Sequence, residues 1–262
     1  GGGYGGGGGG GSMRDARQAK IEREVNQFRA YQRRILDSGA PARDDMFWGK
    51  EERTLFKAAH VTQGINFANY DSIDVEVEGG KGSEKPIKTF QDACDRFDLP
   101  APLVANFERC GYSSPTPVQK YAVPAALGGT DVMVSAQTGS GKTAAFLTPI
   151  VTTAMRAGAK KLKEGPVCPT TIVMSPTREL AQQIETEATR FGGAIGMYTV
   201  SMYGGAPKRD QMSKYRQGVH CIVACPGRLN DFLEGGQVRL DAVNKLCLDE
   251  ADRMLDMGFE PQ

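Results

Sequence analysis

No stretch of the 262-residue chain approaches the ~18 consecutive apolar residues of a membrane-spanning helix, and no secretory leader is visible. A bilayer partner is therefore not expected. The chain also lacks a charge excess of either sign. Lys plus Arg number 32 against 31 Asp plus Glu, a formal net charge of +1. Bulk electrostatics supply no basic field, so any nucleic-acid binding must rest on local sites. The six cysteines (Cys94, Cys110, Cys168, Cys221, Cys225 and Cys247) form no C-x-x-C pair and no zinc-ligand spacing, which excludes a zinc-finger module. Cys221, Cys225 and Cys247 lie in or beside apolar runs, the setting of buried reduced thiols, and this suits a reducing compartment.

What the chain does contain is unevenly distributed. Gly1–Ser12 is almost entirely glycine with one tyrosine, so it cannot bury a core and is expected to be disordered. A native low-complexity tail and an appended linker both fit it. Met13–Asp37 is charge-rich, with Ile21, Val25, Phe28 and Leu36 at roughly helical spacing. It reads as an amphipathic helix ended by Gly39 and Pro41. Asp44–Gly82 is irregular, with scattered aromatics (Phe47, Trp48, Phe56, Phe67, Tyr70) and a short alternating strand expected at Ile73–Val77. These segments divide the chain into a tail at 1–12, an N-terminal extension at 13–82 and a domain at 83–262.

From Phe90 onward, candidate strands alternate with helical patterns. The strands fall at Val132–Ala136, Thr171–Ser175, Met197–Tyr203, His220–Ala224 and Lys245–Leu248. This alternation predicts an α/β fold with a mostly parallel sheet and helices on both faces, with ligands at the carboxyl ends of the strands. Ala157–Pro169 reads as a solvated loop insertion.

Two strings carry chemistry. AQTGSGKT (Ala136–Thr143) fits a phosphate-binding loop with Ala136 at the first glycine position, placed between an apolar run and a helical pattern whose face is Phe146, Leu147, Ile150 and Val151. Gly139 and Gly141 permit close backbone approach to phosphate oxygens, and the amides from Gln137, Thr138 and Ser140 onward point at the anion from a helix start. Lys142 supplies a point charge for the β- and γ-phosphates, and the Thr143 hydroxyl can ligate Mg²⁺. DEAD (Asp249–Asp252) follows the strand candidate Asn244–Leu248. Asp249 can hold Mg²⁺ through water, and Glu250 can orient or deprotonate an attacking water. A charged helix start is the plainer reading of DEAD taken alone. A Gly-rich turn is the plainer reading of the loop, and the pair together favours Mg-nucleotide hydrolysis.

Residues 50–262 resemble a DEAD-box RNA helicase. The motifs occur in family order: GYSSPTPVQ (Gly111–Gln119), AQTGSGKT, PTRELA (Pro176–Ala181), the Gly204–Gly205 pair, PGR (Pro226–Arg228) and DEAD. EERTLF, GINFANYDSIDVEVEGG and LDEADRMLDMGFEPQ are typical of the Vasa-like branch and its translation-initiation relatives. The resemblance implies a RecA-like P-loop NTPase domain that couples ATP hydrolysis to RNA duplex unwinding or RNP remodelling. Gln119 would pair with the adenine edge, since an amide offers both donor and acceptor. Phe90 or Tyr112 would stack on the base, with core packing as the alternative for Phe90. RNA would be gripped through sugar and phosphate, without sequence preference, at Pro176, Thr177, Arg178, Gly204, Gly205, Pro226, Gly227 and Arg228. Asp252 would couple the motifs to one another. RNP or translation-initiation proteins are the partners implied for the extension. A cytoplasmic protein is implied, with the nucleus and RNA granules as further locations.

The chain departs from the family pattern at several points. Cys225 stands where the family usually has Thr, and a thiol is the poorer hydrogen-bond donor to phosphate. Ser213 stands near a common Arg position. Phe90 lies further from Gln119 than is usual. The Ser-Ala-Thr motif and the second RecA-like domain, which carries the arginine finger and half the RNA groove, are not in the sequence. The Ser-Ala-Thr strand lies between the P-loop strand and the DEAD strand in this fold, so a gap is expected there, and the chain reads as part of a longer protein. A non-catalytic RNA or protein binding module on the same fold is the second reading. Intact Lys142, Thr143, Asp249 and Glu250 favour the enzyme.

Overall fold

Four short strands rich in β-branched and apolar residues form a wholly parallel sheet: β1 (Thr171–Met174), β2 (Thr199–Met202), β3 (Cys221–Ala224) and β4 (Lys245–Leu248), in the spatial order β2-β3-β1-β4. The computed structural model describes residues 55–56, 74–80, 85–157, 165–192, 197–215 and 218–259. The glycine tail, the Met13–Asp37 helix and most of Asp44–Gly82 lie outside the described residues. Register is set by Thr171 opposite both Cys221 and Lys245, and by Thr199 opposite Cys221.

Alternation along the strands sends side chains to two faces, and both are covered at β1 to β3, while β4 leaves Leu246 and Leu248 exposed on one of them. Val173, Cys221 and Val223 point into one core. It is built with α1 (Phe90–Phe97), α2 (Ala101–Arg109), α3 (Pro117–Leu127), α4 (Lys142–Ala157) and α5 (Arg178–Gly192). Leu147, Ile150 and Val151 are buried there, with Phe146 packed at its margin, as the helical pattern predicts. Ile172, Val200, Met202, Ile222 and Ala224 point into a second core with Tyr215 of α6 (Lys208–Tyr215) and Phe232 of α7 (Pro226–Glu234). A last short helix, α8 (Ala251–Asp256), follows β4.

Helix starts follow local chemistry. Thr89 caps α1 by accepting from the Asp92 amide at 3.0 Å. Thr116 and Gln119 form a reciprocal capping box at α3, in which the Thr hydroxyl accepts the Gln119 amide and the Gln119 carbonyl oxygen accepts the Thr116 amide. Inside α4, the Thr148 and Thr152 hydroxyls donate to carbonyls one turn back, at 2.6 and 2.8 Å, which satisfies two fully buried side chains.

Two strand expectations are corrected. Val132–Ala136 joins no ladder, and Val132, Met133 and Val134 are exposed. A strand needs a neighbour for its amides and carbonyls. Among the described residues β4 pairs with β1 alone, so no ladder reaches this segment. Likewise, in the expected Ile73–Val77 strand, Ile73 lies outside the described residues, and 74–77 is exposed and joins no ladder among them, because alternation without a surface to bury against supplies no driving force.

Candidate functional site

Parallel strands aim their carboxyl ends at one edge, and the sequence motifs leave the sheet there. β1 runs into Ser175–Arg178, β3 into Cys225–Arg228, and β4 into Asp249–Glu250. The Asp249 amide donates to the Met174 carbonyl at 3.0 Å and fixes the start of DEAD against β1.

The loop before α4 turns on glycine. Gly139 and Gly141 sit at φ 83° and 88°, conformations that disfavour any side chain. The Ser140 amide closes the turn on the Gln137 carbonyl at 3.3 Å. Lys142 Nζ donates to the Ala136 carbonyl and, at 3.3 Å, to the Gln137 carbonyl, so its charge is folded into the loop. Ser140 Oγ is buried with no hydrogen-bond partner among the described residues. Gln137, Thr138 and Gly139 are exposed, and Thr143 is half-buried at the first turn of α4.

Gln119 reaches this loop, and its Nε2 donates to the Gly141 carbonyl at 3.1 Å. A primary amide has two donors and two acceptor lone pairs. The Thr116 and Gly141 bonds use one of each, which leaves one donor and one acceptor for a base edge. The side chain is fully buried, so a base reaches it only when the loop or the amide shifts.

Asp249 is half-buried. Burial raises its carboxyl above the usual range, repulsion from Glu250 adds to that, and the Glu250 amide and the Lys142 ammonium pull it back down. Glu250 adopts a left-handed backbone, φ 52° and ψ 49°, which is strained for a residue with a side chain. Its exposed carboxylate is held by Arg253 at 3.1 Å. Asp252 is exposed in the first turn of α8.

The aromatic candidates sit together. Phe90 is 6% exposed and stacks on Phe107 at 4.6 Å between ring centres. Tyr112 packs edge-on against Phe90, Phe107 and Phe191, and its hydroxyl donates to Glu187 at 3.3 Å. Burial, with Glu187 adding to it, holds that phenol well above its ordinary range.

A second group forms beyond β1 and β3. Pro176 is buried and Thr177 caps α5, accepting from the Leu180 amide at 3.3 Å. The Arg178 guanidinium lies 4.8 Å from the centre of the Tyr203 ring. A Cβ on Gly205 would stand 4.0 Å from the same guanidinium. Arg228 donates to the Ala206 carbonyl at 3.0 Å and pairs with Asp231 at 3.4 Å. Gly204 and Gly205 thus lie on an exposed loop between two arginines. Gly227 is exposed beside the buried Pro226 at the start of α7.

Several supporting residues were not singled out from sequence. Thr116 holds Gln119, which in turn reaches the loop, and the T-x-x-Q spacing is the signal for it. Tyr203 underlies Arg178 and is tied by Gln182 at 2.9 Å. Gln211 braces the glycine loop through the Tyr203 carbonyl at 2.9 Å. Contacts of this kind across the sheet leave no linear spacing to read.

The donor set fits Mg²⁺: a hydroxyl at Thr143 and a carboxylate at Asp249, both hard oxygens. The repulsion between Asp249 and Glu250 is an anionic excess that a dication would relieve, and the orphaned Ser140 hydroxyl marks a polar cradle in the loop that leads to Thr143.

Comparison with known proteins gives a consistent result. The family described as DEAD/DEAH box helicase matches residues 116–262. A rice protein (Oryza sativa subsp. japonica), DEAD-box ATP-dependent RNA helicase 52A, is 44% identical over 201 residues, covering 73% of this chain and 33% of the relative. The RNA helicase Prp28 from Chaetomium thermophilum, solved bound to ADP, aligns with a TM-score of 0.60 at 38% identity over 70% of this chain and 43% of that one. The yeast DEAD-box splicing factor Prp28 aligns with a TM-score of 0.63 at 28% identity, over 83% and 46%. The chain spans about a third of the length of the curated relative.

Proposed function

The chain belongs to the DEAD/DEAH box helicase family, with the α/β fold of the first RecA-like domain, and from that premise we propose that it binds ATP-Mg and RNA backbone within an ATP-dependent RNA helicase. The observation that carries this reading is the phosphate-loop turn at Gly139 and Gly141, which opens α4 at Lys142 and Thr143 and is tied to Gln119 through the Gly141 carbonyl, on a domain whose β4 delivers Asp249 to the carboxyl edge of the sheet. A phosphate-binding turn with its lysine and a metal-binding carboxylate on one domain serve a nucleotide.

In this reading the Ala136–Thr143 loop opens on nucleotide binding. Lys142 exchanges the Ala136 and Gln137 carbonyls for phosphate oxygens, a stronger charge-assisted contact. Thr143 and Asp249 are the residues that would hold Mg²⁺, which when bound neutralises charge on the phosphates. Glu250 orients the attacking water and accepts its proton. Gln119 uses its remaining donor and acceptor to read adenine, and Tyr112 or Phe90 borders the base. Arg178, Arg228 and the Gly204–Gly205 backbone contact RNA sugar and phosphate, so binding is independent of sequence. EERTLF and GINFANYDSIDVEVEGG support a Vasa-like branch member, and the N-terminal extension is the segment proposed for RNP or translation-initiation proteins.

Titration calorimetry with ATP, ADP and GTP tests the nucleotide reading. Adenine nucleotides are expected to bind about tenfold better or more, the size of one or two lost paired hydrogen bonds. RNA-stimulated ATPase, measured in a protein continuing through a second RecA-like domain, tests the catalytic reading. Tight RNA binding with no hydrolysis there would favour the non-catalytic module instead.

A further inference from the structure

Leu55 and Phe56 lie far upstream of the sheet in sequence, yet both are fixed on the α2–α5 face. The Phe56 ring is only 8% exposed, with the Arg109 guanidinium 3.7 Å from its centre. Cation–π contacts strengthen when desolvated in this way. The Leu55 carbonyl accepts from Arg190 Nε at 3.2 Å. The same guanidinium donates through Nη1 to Glu187 at 2.8 Å, and both side chains are largely buried. Glu187 in turn accepts the Tyr112 hydroxyl.

The line of contacts therefore runs Phe56, Arg109 and Leu55–Arg190, Glu187, Tyr112. Tyr112 opens the Gly111–Gln119 segment, and Gln119 closes it on the Gly141 carbonyl of the P-loop. The segment is pinned at both ends: to α5 through Glu187, and to the loop through Gln119. A half-buried carboxylate such as Glu187 keeps its position only while its cation stays beside it. Arg190 is steadied by the Leu55 carbonyl, so the upstream residues bear on the first pin.

We propose that Leu55–Phe56 is an intramolecular anchor that sets nucleotide affinity by holding the Tyr112 end of Gly111–Gln119 in register with the P-loop. The occupant of the α2–α5 face is this chain's own upstream segment. Phe56, Arg190 and Glu187 are positioning residues, since none touches the loop itself. The proposal rests on the reading of Gly111–Gln119 and the P-loop as the nucleotide site.

The test uses the full chain. ADP with Mg²⁺ is titrated into the wild type, Phe56→Ala, Phe56→Tyr, Tyr112→Phe and the Phe56→Ala/Tyr112→Phe double variant, and hydrogen exchange is followed over residues 111–116. Phe56→Ala is expected to weaken ADP about fivefold or more, the usual size of coupling between contacting groups, and to speed exchange over 111–116. Phe56→Tyr keeps a ring for Arg109 and restores both. The double variant binds no more weakly than Tyr112→Phe, because both changes act through the Glu187 bond. Unchanged affinity and exchange in Phe56→Ala, or a loss that adds independently to that of Tyr112→Phe, overturns the anchor. A wild type that takes no ADP refutes the nucleotide reading. In that event exchange alone decides the anchor, and an unchanged rate over 111–116 in Phe56→Ala overturns it.

Discussion

Gln119 and Gly141 are interlocked: the side-chain amide of the first donates to the carbonyl of the second at 3.1 Å, and a Cβ added at Gly141 would stand 2.6 Å from that amide nitrogen. The same Cβ would stand 3.0 Å from the Thr116 hydroxyl, and the backbone there is at φ 88°. Gly141→Ala therefore meets steric overlap and backbone strain together. It is expected to destabilise the chain by about 1–3 kcal/mol and to abolish ADP binding. Adding Gln119→Ala should restore part of the stability, since the overlap is relieved, but not the binding. Thermal denaturation and calorimetric titration of the two variants check both halves.

Binding and chemistry separate at Lys142 and Glu250. Lys142 is folded against its own loop and bears on Asp249, so Lys142→Ala removes the charge awaiting phosphate and should weaken ATP itself. Glu250 is exposed and held only by Arg253 among the described contacts. Glu250→Gln is expected to leave ATP and Mg²⁺ binding intact while hydrolysis, measured in a protein continuing through a second RecA-like domain, falls by about 10²-fold or more. Single-turnover hydrolysis and nucleotide titration on the same preparations distinguish the two roles.

The motifs were legible in the sequence because each chemistry needs particular residues at fixed spacing. Lys142, Thr143, Asp249, Glu250 and the turn glycines could be named before any fold was known, and strands β1 to β4 fell within their expected runs. The P-loop strand was misjudged for a physical reason. Val132–Val134 is apolar enough to be a strand, but pairing depends on a neighbouring ladder that local sequence does not report. Phe56 read as one of several scattered aromatics, because its partner Arg109 lies 53 residues away in the chain, and Arg190, which holds the neighbouring Leu55 carbonyl, lies 135 residues from Leu55; both meet the segment only through the packing of α2 on α5. Tyr203 beneath Arg178 was hidden in the same way.

His220 ties stability to pH. It is almost wholly buried and its Nδ1 accepts the Tyr198 amide at 3.0 Å, which requires the unprotonated nitrogen. Burial lowers its pKa from 6.5 to about 4. Above the unfolded value the imidazole is neutral in both states and carries no penalty. As pH falls from 6.5 toward 4, the unfolded chain takes up a proton that the folded chain refuses, so stability is lost across that window and the loss levels off below it. The expected loss is roughly 3 kcal/mol. Denaturant titrations at pH 7 and pH 4.5 measure it, and His220→Gln, whose amide oxygen can still accept from Tyr198, should flatten this part of the profile.

Cys225 occupies the N-cap of α7 with φ −82° and ψ 138°, an extended backbone suited to a capping residue, yet its side chain makes no cap bond. A thiol accepts hydrogen bonds poorly, and burial, with Glu179 adding to it, raises its pKa so that it stays protonated. Threonine at this position finds the backbone already in the conformation it needs. Its hydroxyl can accept from an amide in the first turn of α7 and can also donate outward, where Gly227 and Arg228 face the proposed RNA backbone. Cys225→Thr is therefore expected to stabilise the chain by about 0.5–1 kcal/mol and to tighten single-stranded RNA binding. A Cys225→Val control has the same branched shape without the hydroxyl and should gain neither. If valine matched threonine in both melting temperature and RNA affinity, packing rather than hydrogen bonding would account for the gain, and the hydroxyl would have no role at this turn.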